Sequence, residues 1–267
     1  MNTADYENRG WCRFSPDPEL IDWLRFAGPA ALATRHDPAM AQQWLRCAGT
    51  WFVGVNALAN DAAGVIGRSG PLGGRAMRFV REFLEFGDIA LDRAQVSIFY
   101  PGYPKQGAAE SAAAFRFRRD RDAAHVDGLH PVGPERRRKI GEFQGFLLGI
   151  PINVADENAA PLVIWEGSHK IMHRALGAAL AGTLPDEWPE IDLTHVYHDA
   201  RRTAFETCPR VVVHANPGAA YLLHRMALHG VAPWATAAQA DPSGRAILYF
   251  RPEIDRKRWL ADDPSNC

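Results

Sequence analysis

The sequence predicts an α+β chain, mostly β: a jelly-roll or similar double-sheet core with a helical N-terminal part packed on it. A change of texture along the chain carries this expectation. Through about residue 90, apolar residues recur at helical spacing, and from about Ala94 short β-prone runs alternate with turns. Six or more such runs follow, and runs with one apolar face are stable only when layered on a second sheet or under helices.

In the helical part, Ser15-Pro16-Asp17-Pro18 supplies an N-cap and early prolines. Leu20, Ile21, Trp23 and Leu24 then begin an amphipathic helix expected to end near Gly28-Pro29. A second helix is expected to start at Asp37-Pro38 and to include Met40, Trp44 and Leu45. A third spans about 74–86, with Met77, Val80, Phe83 and Leu84 recurring on one face. Residues 51–55 between them are short and β-prone. The glycine-rich stretch 67–74 has neither a Gly-Lys-Ser/Thr ending nor a GxGxxG register, so it reads as a plain loop rather than a phosphate cradle. The expected strands are 95–100, 143–153, 162–165, 210–214, 219–224 and 246–250, interrupted by one clear helix around 171–181. No linker or repeat divides the chain, so it reads as one domain over 1–267: helical support over 1–90, a jelly-roll core over 91–255 and a C-terminal tail over 256–267.

Composition excludes several classes. Lys and Arg number 30 against 31 Asp and Glu, and a pI of about 6.8 gives no basic field for nucleic acid. No apolar run is long enough to span a bilayer, and the N-terminus has no basic start followed by an apolar stretch, so neither a membrane partner nor a secretory signal is expected. Cys12, Cys47, Cys208 and Cys267 lie far apart and read as reduced thiols in a cytoplasmic protein.

The segment that carries chemistry is Ala123-Ala124-His125-Val126-Asp127-Gly128. On an extended strand residues two apart share a face, so the His125 imidazole and the Asp127 carboxylate can converge on one ion. They provide two corners of a 2-His-1-carboxylate facial triad. A chain with ten histidines and eighteen aspartates produces such a pair by chance as well, so its company matters. His229, within Ala227-Leu228-His229-Gly230, follows a β-like run 104 residues downstream, and Arg245 comes sixteen residues after it, opening the run 245–250. An arginine facing an apolar interior needs an anionic partner, and a bidentate ligand carboxylate is the natural one. His224, five residues before His229, is a rival for the distal position.

These elements, together with Pro161-Leu162-Val163-Ile164-Trp165-Glu166-Gly167-Ser168-His169-Lys170, resemble the phytanoyl-CoA dioxygenase-like branch of the iron(II)/2-oxoglutarate oxygenases over roughly 91–255. The chain departs from that pattern in its turns. Ala159-Ala160 stands where the family usually reads Asn-Gly, Trp165-Glu166-Gly167 precedes Ser168-His169 in place of Pro-Gly, and Gly218-Ala219 replaces a usual Gly-Asp. A frequent Asn after the distal histidine is also replaced, near Pro233-Trp234. The resemblance implies a double-stranded β-helix in which His125, Asp127 and His229 hold Fe(II). It implies 2-oxoglutarate as co-substrate, with Arg245 on its distal carboxylate, and O2 as oxidant. It implies hydroxylation of a small-molecule substrate with release of succinate and CO2. Halogenases of the family carry a small residue at the carboxylate position, so Asp127 favours hydroxylation.

Other residues carry weaker expectations. Gln95, Ser97 and Phe99 share one face of their strand and Val96, Ile98 and Tyr100 the other; either could look inward, with Gln95 the polar candidate to touch 2-oxoglutarate or substrate. Alternation in 115–122 places Arg116 and Arg118 on one face of a strand, near an anionic substrate or on a solvated edge. The basic run 136–139 reads as an exposed helix start. His214 and His224 read as supporting or core histidines, and His130, His169 and His173 as structural or exposed. The same residue types also serve a cupin-like metal-dependent hydrolase, isomerase or lyase, or a non-enzymatic binding protein for an acidic metabolite.

Overall fold

The computed structural model describes residues 2–261 of the chain. These run α1 (Asn2–Arg9), β1 (Trp11–Phe14), α2 (Pro18–Thr34), α3 (Pro38–Trp44), β2 (Leu45–Arg46), β3 (Trp51–Gly54), α4 (Arg75–Arg78) and β4 (Gln95–Phe99). There follow α5 (Ala112–Asp120), β5 (Leu129–Val132), β6 (Arg137–Ile140), β7 (Phe146–Pro151), β8 (Leu162–Trp165), α6 (Ser168–Leu180) and α7 (Thr194–Thr207). The last elements are β9 (Arg210–Val213), β10 (Ala220–His224), β11 (His229–Val231), β12 (Arg245–Phe250) and α8 (Arg256–Ala261). Cys267 and the end of the expected tail lie outside the described residues.

Local chemistry sets the helix starts. Asp17 accepts the Glu19 amide at 3.0 Å and Pro18 supplies the first helical φ, so α2 begins there. The same carboxylate takes the Arg75 amide at 2.9 Å, tying the start of α4 to that of α2. Asp37 caps α3 by accepting the Met40 amide at 2.9 Å. The expected stop at Gly28-Pro29 does not occur, because α2 runs through Pro29 to Thr34. Its stripe of Leu20, Trp23, Ala27 and Ala31 packs against the sheet, and burial of that stripe outweighs the helix-breaking tendency of one internal proline.

All strand pairs are antiparallel. A seven-stranded sheet has the order β1-β10-β7-β12-β4-β3-β2, a three-stranded sheet the order β11-β8-β9, and β5-β6 form a separate hairpin. Alternation along the strands sorts the core into layers. Val96, Ile98, Leu148, Ile150, Leu248 and Phe250 pack under α2 and its neighbours. Leu147, Tyr221, Leu223, Ile247 and Tyr249 point the other way and meet Leu162, Ile164 and Val213 of the small sheet. The far side of the small sheet, with Val163 and Trp165, packs on Met172, Leu176, Tyr197 and Ala204 of α6 and α7. Each fully buried Leu or Phe in these layers contributes about 1.5–3 kcal/mol.

Several expectations need correction. The first ninety residues contribute β1, β2 and β3 to the large sheet, more strand than their texture predicted. More than one helix interrupts the later strands, since α5 and α7 do so as well as α6. Residues 115–120 of the stretch 115–122 belong to α5 rather than to a strand, and the helix is capped by Ser111, which accepts the Ala114 amide at 3.2 Å. On a helix Arg116 and Arg118 point about 200° apart, so they do not share a face. The run 136–139 is the turn and second strand of the β5-β6 hairpin, not a helix start. Arg137 pairs with Glu135 and Asp192, and Lys139 with Glu190, so local acids absorb the charge of these two residues. No helix among the described residues is long and apolar enough to cross a membrane.

Candidate metal centre

His125 enters the site through a tight turn. Asp122 and Ala123 both adopt left-handed φ, +55° and +52°, a conformation uncommon for residues with a Cβ. Two contacts hold it. The buried Asp122 carboxylate takes a bidentate pair of hydrogen bonds from Arg210 on β9, at 2.7 and 2.9 Å, and its carbonyl accepts the Val231 amide at 2.9 Å. His125 then pairs with His229 at the start of β11, amide to carbonyl in both directions, at 2.8 and 3.0 Å. Extended backbone is confined to this bridge, because Asp127 already lies in the following turn.

The three side chains meet. The His125 Nε2 is 3.2 Å from Asp127 Oδ1, the His229 Nε2 is 3.6 Å from Asp127 Oδ2, and one ligand atom from each residue lies within 4.8 Å of the others. Ligands about 2.1 Å from an ion and at right angles lie about 3 Å apart, so these separations suit a small divalent cation. The second-nitrogen contacts suit it too. His125 Nδ1 is 3.0 Å from the Ala123 carbonyl and His229 Nδ1 is 2.9 Å from that of Ala227, and a carbonyl accepts only. Each Nδ1 therefore carries its proton and each Nε2 presents a lone pair to the site. Asp127 Oδ2 is a buried acceptor with no hydrogen-bond partner, as expected of an atom reserved for an ion.

Electrostatics agree. Burial raises the Asp127 pKa, but the Arg251 guanidinium, 3.7 Å from Oδ2, together with the His229 and His125 imidazoles, overrides it and holds the carboxyl far below its usual range. Burial pushes His229 down to about 4, so this imidazole is neutral and ready to ligate at physiological pH. Burial also pushes Asp92, whose Oδ1 accepts the Arg251 amide at 2.8 Å, up to about 6.

These two shifts oppose each other in the metal-free protein. A depressed His pKa means the unfolded chain takes up a proton that the fold refuses, so this contribution is intact above 6.5 and lost as pH falls toward 4. A raised Asp pKa acts in reverse between 3.8 and 6, where the fold holds the extra proton and stability declines as pH rises. Asp92→Asn removes the second effect and keeps the acceptor for Arg251. Its loss of stability between pH 6 and 4 should therefore be steeper than that of wild type by about 1.4 kcal/mol per pH unit, read from urea titrations. Parallel profiles would refute the assignment.

Gly230 closes the arrangement. A Cβ there would drive into the Asp122 carbonyl oxygen, which is backbone and cannot step aside. Gly230→Ala should cost about 1–3 kcal/mol in urea unfolding and should weaken metal affinity, by prising the turn away from β11.

A cavity of about 210 Å3 opens over the cluster, lined among others by Trp51, Gln95, Phe99, Leu162, Tyr249 and Arg251. Gln95, Ser97 and Phe99 are thus the inward face of β4, while Val96 and Ile98 pack under the helices. Gln95 Oε1 accepts from Arg251 at 2.7 Å, so its carbonyl end is held by that arginine. Arg245 projects from the same face of β12 as Ile247 and Tyr249 and is 5% exposed, but it does not line this cavity. It lies 5.8 Å over the Phe99 ring, which does, and donates to the Ala160 carbonyl at 2.9 Å. Among the described residues no carboxylate pairs with it.

The remaining sequence candidates do not line this cavity. Arg116 is exposed on α5, and Arg118 pairs with Glu110 at 3.0 Å. His224 sits on the helix side of the large sheet beside Tyr6 and His169, away from the cluster. His214 bonds the Ala155 carbonyl at 2.8 Å. Sequence reasoning missed Arg251 and Trp51. The period-two series Arg245, Ile247, Tyr249 continues to Arg251 one step past the strand end, a signal that could have found it.

No protein-family model matches the sequence, and no curated protein matches it. Solved structures do align with the chain. One is the non-heme alpha ketoglutarate dependent carbocyclase SnoK from nogalamycin biosynthesis, at 14% identity and TM-score 0.46, covering 95% of this chain and 83% of that one. A second is EctD from S. alaskensis with 2-oxoglutarate and 5-hydroxyectoine, at 15% identity and TM-score 0.46, covering 94% and 74%. A third is the epimerase SnoN in complex with Fe3+, alpha ketoglutarate and nogalamycin RO, at 14% identity and TM-score 0.44, covering 100% and 90%.

Proposed function

We propose that the protein is a non-haem iron(II), 2-oxoglutarate-dependent oxygenase, a hydroxylase of a small molecule, built on a double-stranded β-helix as a single domain. One observation carries the reading: two Nε2 lone pairs and a buried, unpartnered carboxylate oxygen converge at the mouth of a cavity. The chemistry that Fe(II) supplies in such a site, with 2-oxoglutarate and O2, is hydroxylation of a C–H bond with release of succinate and CO2.

The chain's own residues would do the rest. His125, Asp127 and His229 would hold the ion, with the Ala123 and Ala227 carbonyls fixing the imidazole tautomers. Arg251 keeps Asp127 ionised, and Gln95 steadies Arg251 from β4. Arg245 is assigned the distal carboxylate of 2-oxoglutarate, because its buried charge has no anion of the protein beside it. Phe99, Leu147 and Leu162 give the cavity apolar walls that exclude water. The buried free thiols of Cys12 and Cys47 fit a reducing, cytoplasmic setting.

The test is anaerobic titration of the metal-free protein with Fe(II) and then 2-oxoglutarate, followed by admission of O2. A visible charge-transfer band that needs both additions, and succinate formed afterwards, are expected. Tight metal binding with neither band nor succinate would overturn the oxygenase reading.

A further inference from the structure

A second hollow, an open groove of about 930 Å3, adjoins the metal-centre cavity and shares Trp51 and Val53 with it. Three parts of the chain wall it: the β2–β3 connection, the segment 107–114 leading into α5, and Arg136 at the tip of the β5-β6 hairpin. Along its floor Cys47, Ala48 and Gly49 are left-handed in succession, with φ of +54°, +48° and +88°. Residues with a Cβ rarely hold that conformation, and backbone strain of this kind gathers at binding sites.

Trp51 forms the junction between the two hollows. Its indole N–H donates to Ser97 Oγ at 3.0 Å, its ring stacks on Phe99 at 5.5 Å and 9°, and the Arg118 guanidinium lies 5.7 Å from its centroid. The indole is therefore fixed, and a ligand reaching from groove to cavity must pass it.

The groove's charge is one-sided. Arg46, Arg118 and Arg136 line it against a single acid, Glu110. Arg118 and Glu110 are committed to each other through two hydrogen bonds, at 3.1 and 3.0 Å. That leaves Arg46, whose guanidinium makes a 3.2 Å hydrogen bond to the adjacent Leu45 carbonyl and lies 5.9 Å over the Trp44 ring, and Arg136; neither has an ion pair among the described residues. Two uncommitted guanidiniums from separate walls attract an anion and repel a cation.

We propose that the groove takes the substrate, and that the substrate is an organic anion. Its carboxylate or phosphate ester sits between Arg46 and Arg136, and its carbon body passes Trp51 toward the cluster. That the bound anion is the substrate rests on the oxygenase reading above; the groove's preference for anions does not.

Metal-free protein labelled with 5-fluorotryptophan tests this by fluorine NMR, with the Trp51 resonance assigned from Trp51→Phe. Phenyl phosphate and phenylacetate should each shift that resonance saturably, and uncharged phenylacetamide should not; the tighter of the two acids identifies the charged group. Arg46→Gln and Arg136→Gln, both changes at exposed positions, should each weaken binding by about tenfold. No saturable shift, equal binding of the amide, or unchanged affinity in both variants would overturn the proposal. Co(II) binding measured on the same samples separates the two readings. If the anions fail while Co(II) binds, the groove assignment falls and the metal centre stands. If the anions bind and Co(II) does not, the oxygenase reading falls.

Discussion

Asp127→Ala should abolish stoichiometric Co(II) binding, lowering affinity by well over the roughly hundredfold that loss of an outer-sphere partner can cause. The reason is more than a missing ligand. Arg251 lies 3.7 Å from Asp127 Oδ2, so deleting the carboxylate leaves a guanidinium facing the cluster with its counter-charge gone. A dication would then approach two imidazoles and an uncompensated positive charge, a setting that repels it. His229→Ala should fail in the same assay for a simpler reason, the loss of a fixed Nε2. His224→Gln should bind Co(II) as wild type does, since His224 lies beside Tyr6 and His169 on the other side of the large sheet. Visible absorption of the Co(II) complex reads all three. Wild-type affinity in Asp127→Ala, or loss of binding in His224→Gln, would sink the ligand assignment.

The parts of the fold legible in the sequence are those where burial and local pattern agree. Strand β8 (Leu162–Trp165) is buried on both faces and reads as an uninterrupted apolar run, and β7 and β12 read almost as clearly. Helix α7 was illegible because its buried stripe is Tyr197, Ala200 and Ala204 in an otherwise polar segment, and alanines give little hydrophobic contrast. Helix α5 was misread because Phe115 and Phe117 alternate with arginines, a period-two pattern, while three alanines and the Ser111 cap decide for helix. His125 and Asp127 could be named because metal ligation restricts residue type and short spacing, whereas His229, 104 residues away, was named over its rival His224 from the resemblance. Trp51 and Arg251 could not, since no local rule states which strand neighbours β4 or where a side chain past the end of β12 will reach. The groove's arginines come from segments 90 residues apart, and only the tertiary fold brings Arg46 and Arg136 to one groove.

Arg245 supplies the other large effect, and its signature is a pair of opposite signs. The guanidinium is 5% exposed, keeps a hydrogen bond to Ala160 and a face on Phe99, and has no carboxylate beside it among the described residues. A buried charge without a counter-ion destabilises a fold by several kcal/mol unless something binds to it. Arg245→Met keeps an unbranched apolar stem in the same layer and removes the charge, so the ligand-free variant should be at least as stable as wild type in urea or heat. It should also lose its response to 2-oxoglutarate. Truncating one side of a buried charge pair costs about 2–5 kcal/mol, so affinity should fall at least thirtyfold, while Co(II) affinity stays unchanged. Saturating 2-oxoglutarate should raise the Tm of the Co(II)-loaded wild type, and in the variant that rise should vanish. Arg245→Lys should recover only part of it, because an ammonium cannot reproduce the planar two-donor fork that meets a carboxylate. A structural arginine would behave in the opposite way, with Arg245→Met lowering ligand-free stability and leaving 2-oxoglutarate protection intact. That result would remove Arg245 from the site and shift the search for the co-substrate's anchor to Arg251, the cation that lines the cavity itself.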